Sequence, residues 1–351
     1  MKKLQETLSR IGALDEAAID SAQAHLDNLT KPPGSLGVLE EIVKKIAGIT
    51  GEPKPHLPKK TCILMAGDHG VVEDGVSAYP QEVTPQMVLN FLRGGAAMNV
   101  LARHAGAELV VVDIGVAADL PDHPLLKSSK IAYGTANFTK GPAMSREQAV
   151  SALEAGIAIT EECLAAGSGL LGTGEMGIGN TTPSTAIIAA YKGGDVGAVC
   201  GRGTGIDNDR MKLKIKAVQT ALSVNNPDLN DPLDVLSKVG GFEIAGMAGV
   251  MLASAAARKP VLIDGFISGA AAVIAAKLCP QAREYMLASH LSEEPGHRVI
   301  LELLGLRPFL HMNLRLGEGT GSALAMTMID AALKIVHEMA TFGEAGVSTK
   351  E

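Results

Sequence analysis

Tryptophan is missing from this 351-residue chain, and aromatic residues make up only 3% of it. Proteins that grip single-stranded nucleic acids stack bases on aromatic side chains, so that mode of binding is excluded. A cationic excess is lacking too. The formal net charge is −7, and the basic footprint that duplex phosphates require is not there. The cysteines are few and scattered, at Cys62, Cys163, Cys200 and Cys279. No CxxC pair occurs, which argues against a zinc site built on cysteine. They read as small buried hydrophobes in a reducing compartment. No apolar run reaches the roughly 18 residues of a membrane-spanning helix. The opening residues, Met1-Lys2-Lys3-Leu4-Gln5-Glu6, turn polar at once rather than entering an apolar signal core. A soluble cytoplasmic protein, with neither nucleic acid nor membrane as partner, is the expectation.

What the chain has in quantity is glycine, 40 residues, within a composition that is 46% hydrophobic. Short apolar runs recur, and each ends in glycine with an acid or histidine beside it. Thr61–Ala66 leads into Gly67-Asp68-His69-Gly70, and Leu109–Val112 into Asp113-Ile114-Gly115. Gly169–Leu171 leads into Gly172-Thr173-Gly174-Glu175, and Val196–Cys200 into Gly201-Arg202-Gly203-Thr204-Gly205. Pro260–Ile263 precedes Asp264-Gly265, and Tyr285–Ala288 precedes Ser289-His290. Continuous apolar runs suit strands buried on both faces of a parallel sheet. Helical spacing lies between them, over 35–49, 94–105, 146–166, 182–191 and 243–257. Alternating strand and helix predicts a doubly wound α/β fold. In such a sheet the carboxyl ends of the strands share one edge. Asp68, His69, Asp113, Glu175, Asp264, His290 and Glu318 are therefore expected to converge on one crevice. Two further helical stripes, over 4–29 and 320–341, are expected to pack together. They give a small helical subdomain from 1–30 and 322–351 beside a large α/β catalytic domain, 31–321.

Three loops carry the chemistry. Gly172-Thr173-Gly174-Glu175-Met176-Gly177-Ile178-Gly179-Asn180-Thr181-Thr182-Pro183 feeds a helix, with Thr182 read as its cap and Pro183 as its first residue. Glycine backbone running into a helix N-terminus is a natural phosphate site. The loop contains a formal G-x-G-x-x-G, but it continues past the point where a dinucleotide-binding helix opens. Arg202 also replaces the acid expected after the next strand. Gly201–Gly205 is a second glycine loop, and Lys214 in the segment after it offers a point charge to a phosphate. Lys212 and Lys216 read as a solvated helix face. The other loop, Leu316-Gly317-Glu318-Gly319-Thr320-Gly321, sets one carboxylate among three glycines before a helix. Glu318 reads as a candidate general base or as a solvated turn residue. Asp68, His69, Asp264 and His290 could be parts of a metal site, but no HxH or HExxH spacing supports one, and no G-x-S-x-G elbow supports a serine nucleophile.

Taken together these motifs resemble one family, the nicotinate-nucleotide–dimethylbenzimidazole phosphoribosyltransferases. The likeness runs over nearly the whole chain. It rests on Lys31-Pro32-Pro33-Gly34-Ser35-Leu36-Gly37, Gly67-Asp68-His69-Gly70-Val71, Glu82-Val83-Thr84, the 174–182 loop, Asp264-Gly265-Phe266 and Leu316–Gly321. The resemblance implies a Rossmann-like large domain with a small helical domain, a homodimer, and no metal or organic cofactor. Its substrates would be nicotinate mononucleotide and a benzimidazole. Its products would be α-ribazole 5′-phosphate and nicotinate, in the synthesis of the lower ligand of cobalamin. Glu318 would take the azole proton and Glu175 would stand by the ribose. Gly174, Gly177, Gly179, Asn180, Thr181, Thr182, Gly203 and Lys214 would serve the phosphate and ribose. Tyr79, Met176 and Leu316 would wall the base pocket, and Gln86 or Met87 would face the base. A Rossmann-type oxidoreductase and a nucleotide-binding sensor are the rival readings. The loop length opposes the first, and a sensor has no need of a base at Glu318.

Overall fold

The structure is a computed structural model and describes residues 1–348. Six parallel strands form one sheet in the order β3-β2-β1-β4-β5-β6. They are β1 (Lys60–Gly67), β2 (Ala107–Gly115), β3 (Leu126–Ser128), β4 (Leu170–Met176), β5 (Val261–Ile263) and β6 (Met286–Ala288). In chain order the helices begin with α1 (Lys2–Ser9), α2 (Glu16–Asp27), α3 (Val38–Thr50), α4 (Val83–Arg93) and α5 (Ala97–His104). Next come α6 (Arg146–Ala165), α7 (Thr181–Lys192), α8 (Asn208–Asn225) and α9 (Pro232–Val239). The last four long helices are α10 (Phe242–Ala256), α11 (Phe266–Leu278), α12 (Gly296–Leu304) and α13 (Thr320–Glu338).

The apolar runs are continuous because the sheet is covered on both sides. Along β1, Cys62, Leu64 and Ala66 join the core under α2, α3, α5 and α13. Ile63 and Met65 point to the opposite core, under α6, α10 and α11. Strand residues that alternate between two apolar layers leave no place for a polar side chain until the strand ends. This is why the chemistry-bearing residues collect at one edge. The strand order reverses at β1, whose neighbours are β2 and β4. An open α/β sheet has its ligand crevice at such a switch, outside the carboxyl ends of the strands.

Helix starts follow local chemistry. Ser145 and Gln148 form a reciprocal capping box on α6, and the Asp207 side chain accepts from the first turn of α8. The two chain ends meet. Leu29 and Thr341 form an antiparallel bridge, Thr30 N–H donates to Ala340 O at 3.1 Å, and α2 and α13 both pack on α3. α13 also covers β1, β4 and β5, whereas α1 lies across the sheet from this group, against α6 and α10. The last three positions of the expected 322–351 segment, 349–351, fall outside the described residues.

Three expectations are corrected. Val196–Cys200 is not a strand. Val196–Ala198 is a single 3₁₀ turn, because Gly197 interrupts the run and the Asp195 carboxylate accepts its N–H at 2.9 Å. β3 escaped notice because its three residues include exposed Lys127 and Ser128. Thr182 is not the cap of α7. The helix opens two residues earlier with Asn180 as its cap, and Pro183 takes the third position.

Candidate active site at the carboxyl edge of the sheet

A cleft of about 790 Å³ opens at the ends of β1, β4, β5 and β6. Its floor is the turn from Glu175 to Thr181, its far side holds Asp264 and His290, and the turn Leu314–Glu318 closes it. Glu318 lies 8% exposed beside the glycine loop that starts at Gly174. The two segments touch directly. Glu318 N–H donates to Glu175 Oε1 at 3.2 Å. The other Glu175 oxygen accepts from the Asn180 side-chain amide.

The approach is so close that two positions admit only glycine. A Cβ on Gly174 would sit 2.3 Å from the Glu318 carbonyl oxygen, and one on Gly317 would sit 2.3 Å from Glu175 Oε1. Gly317, Glu318 and Gly319 all have positive φ, at 85°, 63° and 96°. Such a conformation costs a glutamate free energy and persists only where the surroundings enforce it. Asp264 supplies the enforcement. Its carboxylate accepts from the N–H groups of Gly319 (3.1 Å), Gly321 (2.7 Å) and Ser322 (3.2 Å). It thus occupies the positive end of α13 and fixes the turn that carries Glu318.

Glu318 Oε2 accepts the Met98 N–H at 3.2 Å. Burial raises its proton affinity, the Met98 N–H opposes that, and the nearby Asp264 carboxylate adds to it. A base shifted toward neutrality is better matched to proton transfer at cellular pH than an ordinary glutamate. Glu175 goes further. Burial pushes it up to about 8, against the pull of its hydrogen bond from Asn180. The folded value therefore exceeds the ordinary 4.5. The folded state binds the extra proton between these two pH values, so its contribution to stability is full below about 4.5 and lost as pH rises through about 8. Thermal melts of Glu175→Gln should lose less stability than wild type between pH 5 and pH 8. Parallel curves over that range would contradict the raised value.

Lys214 is completely buried behind the cleft rather than lining it. Its ammonium donates to Thr181 Oγ1 at 2.8 Å and to Gly201 O at 2.9 Å. Burial lowers its pKa, and Glu294 is among the groups holding it up. It acts on the cleft through Thr181, which does line it. Lys212, by contrast, pairs with Asp209 in solvent, and Lys216 is exposed.

Of the other residues singled out, Gly177, Asn180, Thr181, Gly203, Met176, Met87, Tyr79 and Leu316 line the cleft, the last two as exposed residues at its mouth. Gly174, Gly179 and Thr182 lie behind its surface, and Gln86 is exposed on α4 outside it. The expected convergence is partial. Asp113 pairs with Lys130 at 3.0 Å and faces a separate hollow of about 560 Å³. Asp68 and His69 are buried beneath the floor, where His69 Nε2 meets Glu243 Oε1 at 2.9 Å. β2 runs to Gly115 and turns Asp113 away, and Gly67 ends β1 so that the next two side chains point inward. Sequence reasoning missed Glu294, which accepts the Gly203 N–H at 2.9 Å, and the apolar wall of Val83, Ile178 and Phe266. Glu294 precedes a proline before α12 and looks like an ordinary helix-start acid. Among the described residues no three His, Cys, Asp or Glu side chains gather to hold a metal ion, and no helix is long and apolar enough to cross a membrane.

A switch-point cleft that pairs a glycine-lined helix N-terminus with a buried, strained carboxylate defines an enzyme acting on phosphorylated ligands. Comparison with known proteins narrows the class. A family model described as Phosphoribosyltransferase matches residues 11–347. The nicotinate-nucleotide–dimethylbenzimidazole phosphoribosyltransferase of Desulforamulus reducens is 58% identical over 349 residues, 99% of this chain and 99% of the relative. That of Chloroflexus aggregans is 58% identical over 351 residues, 100% and 99% of the two chains. The crystal structure of CobT from Thermus thermophilus superimposes with a TM-score of 0.92 at 49% identity, covering 95% of this chain and 100% of that one. This chain belongs to the nicotinate-nucleotide–dimethylbenzimidazole phosphoribosyltransferase family.

Proposed function

We propose that the protein transfers the phosphoribosyl group of nicotinate mononucleotide to 5,6-dimethylbenzimidazole, releasing nicotinate and α-ribazole 5′-phosphate for the lower ligand of cobalamin. The observation that carries this reading is the direct contact between the Glu318 turn and the glycine loop of Glu175. One cleft thereby offers a proton acceptor for the azole and an anion cradle for the 5′-phosphate.

The chemistry follows from the bonds exchanged. The glycosidic C–N bond breaks and its electron pair returns to the pyridinium nitrogen, so nicotinate leaves without needing a proton. The azole nitrogen attacks the anomeric carbon from the opposite face, and the azole N–H proton passes to Glu318. As the sugar carbon becomes cation-like, Asp264 places negative charge on that side of the cleft, and Glu175 offers carboxyl oxygens there, gaining its own charge as pH rises through about 8. Val83, Met87, Met176 and Leu316 give the neutral benzimidazole apolar walls with one carboxylate at the end. In the first turn of α7 the Thr182 and Ser184 N–H groups donate to Gly179 O and Asn180 O and Pro183 has none, which leaves the Thr181 N–H to face a phosphate at the positive end of the helix. Lys214 supports the cradle from behind. Replacing it with methionine removes the buried charge and both hydrogen bonds, so KM for nicotinate mononucleotide should rise about 10- to 100-fold, the range for a lost charge-assisted contact. An unchanged KM would remove Lys214 from the phosphate site.

The family resemblance further supports a homodimer in the cytoplasm and a helical subdomain made by the chain ends. Nicotinate released from nicotinate mononucleotide should appear only when dimethylbenzimidazole is present. Release that is indifferent to the azole would mean hydrolysis instead of transfer.

A further inference from the structure

Thr84 of the Glu82-Val83-Thr84 motif has no part in the chemistry above, yet it stands between the two substrate subsites. Val83 and Met87 of α4 line the cleft on the side assigned to the azole. Thr84, between them in sequence, is completely buried and points the other way. Its hydroxyl oxygen accepts the Ile178 N–H at 3.0 Å, in the middle of the glycine loop assigned to phosphate and ribose. The Thr84 hydroxyl also lies near Asp68. Burial raises the Asp68 proton affinity, and the Ala117 N–H and the Thr84 hydroxyl hold it down. Asp68 Oδ2 accepts the Ala117 N–H at 2.8 Å, and its Oδ1 has no hydrogen-bond partner. A second tie joins the same two regions nearby. Ala78 N–H donates to Thr204 Oγ1 at 3.1 Å, linking the segment that carries Tyr79 to the loop that carries Gly203.

We propose that Thr84 is a positioning residue that locks the azole-facing wall of α4 to the glycine loop, so that one hydrogen bond sets the geometry of both subsites. The inference rests on the functional reading above. It deepens that reading by adding a residue that touches neither substrate. Helix α4 packs against the ends of β1, β2 and β4, so it is fixed at its base. The glycine loop has little side chain with which to fix itself. A backbone amide in such a loop is held by whatever acceptor reaches it. Thr84 is that acceptor at Ile178.

The experiment compares Thr84→Val and Thr84→Ser with wild type in steady-state assays of nicotinate release, with calorimetric binding of nicotinate mononucleotide alongside. Valine keeps the shape and removes the acceptor. Its KM for nicotinate mononucleotide and its KM for dimethylbenzimidazole should both rise by about tenfold, the equivalent of one hydrogen bond. Serine keeps the oxygen and should restore both constants to within about twofold of wild type. A merely structural role would lower the melting temperature or the fraction of active enzyme and leave both KM values unmoved, and that result overturns the proposal. So does a serine variant whose KM values match those of valine. If the valine variant does not fold, the serine variant alone decides, since folded protein with raised KM values contradicts the idea. A wild-type protein that neither binds nicotinate mononucleotide nor releases nicotinate contradicts the functional reading instead.

Discussion

Glu318→Gln should retain the fold and lose turnover by roughly 10²- to 10⁴-fold, the usual contribution of a general base. The fold survives because glutamine keeps an oxygen to accept the Met98 N–H, the one hydrogen bond the side chain receives. The left-handed turn survives as well, since its anchors are backbone N–H groups on Asp264 rather than the Glu318 side chain. What is lost is the acceptor for the azole proton. The pH profile offers a second readout. Burial places the Glu318 pKa above the ordinary glutamate value, so wild-type kcat/KM should fall on the acid side with a limb above pH 4.5. The glutamine variant should lack that limb in its residual activity. Turnover near that of wild type in well-folded protein would remove Glu318 from the base role.

Gly174→Ala should be among the most damaging single methyl groups in the site. The added carbon would lie 2.3 Å from the carbonyl oxygen of Glu318 and 3.2 Å from the Cα of Gly319. Both neighbours are backbone, and neither can rotate aside. The 317–319 turn must retreat from β4, breaking the register between Glu318 and Glu175. Overpacking of this kind costs about 1–3 kcal/mol of stability. A displacement of about 1 Å at the reacting groups costs on the order of 10²-fold in rate. Gly12→Ala is the control. A Cβ there meets nothing within 4 Å, and that variant should match wild type in melting and turnover. If Gly174→Ala retained full activity, the contact between the two turns would not be what holds Glu318 in place.

The fold was legible because its signal is repeated. A run such as Cys62–Ala66 is apolar at every position only when both faces of the strand are buried, and that pattern occurs again at β2, β5 and β6. Helices α3, α5, α6, α7, α10 and α13 announced themselves by spacing, whereas α4, α9, α11 and α12 went unread. Val196–Cys200 misled because composition alone does not separate a strand from a tight turn, and the Asp195 cap that decides the matter acts on a single amide. At the site, glycine density marked both loops, and a carboxylate among glycines marked Glu318. Lys214 was recognised by type and place, but not its burial, which depends on Thr181 and Gly201 reaching it from other elements. Asp113 was grouped with the cleft because strand ends share an edge, yet β2 lies one strand away from the switch and its acid found Lys130. Asp264 was visible as a strand-end acid. Its grip on three amides 55 to 58 residues away was not, because no local pattern encodes a contact of that range.

The anomeric configuration of the product tests the account most directly. Wild-type protein incubated with nicotinate mononucleotide and dimethylbenzimidazole should yield one nucleotide product, and NMR should show the azole on the α face of the ribose. That outcome requires the base-bearing turn and the phosphate cradle to grip opposite sides of one sugar. A β product, or ribose 5-phosphate without an azole attached, would contradict it.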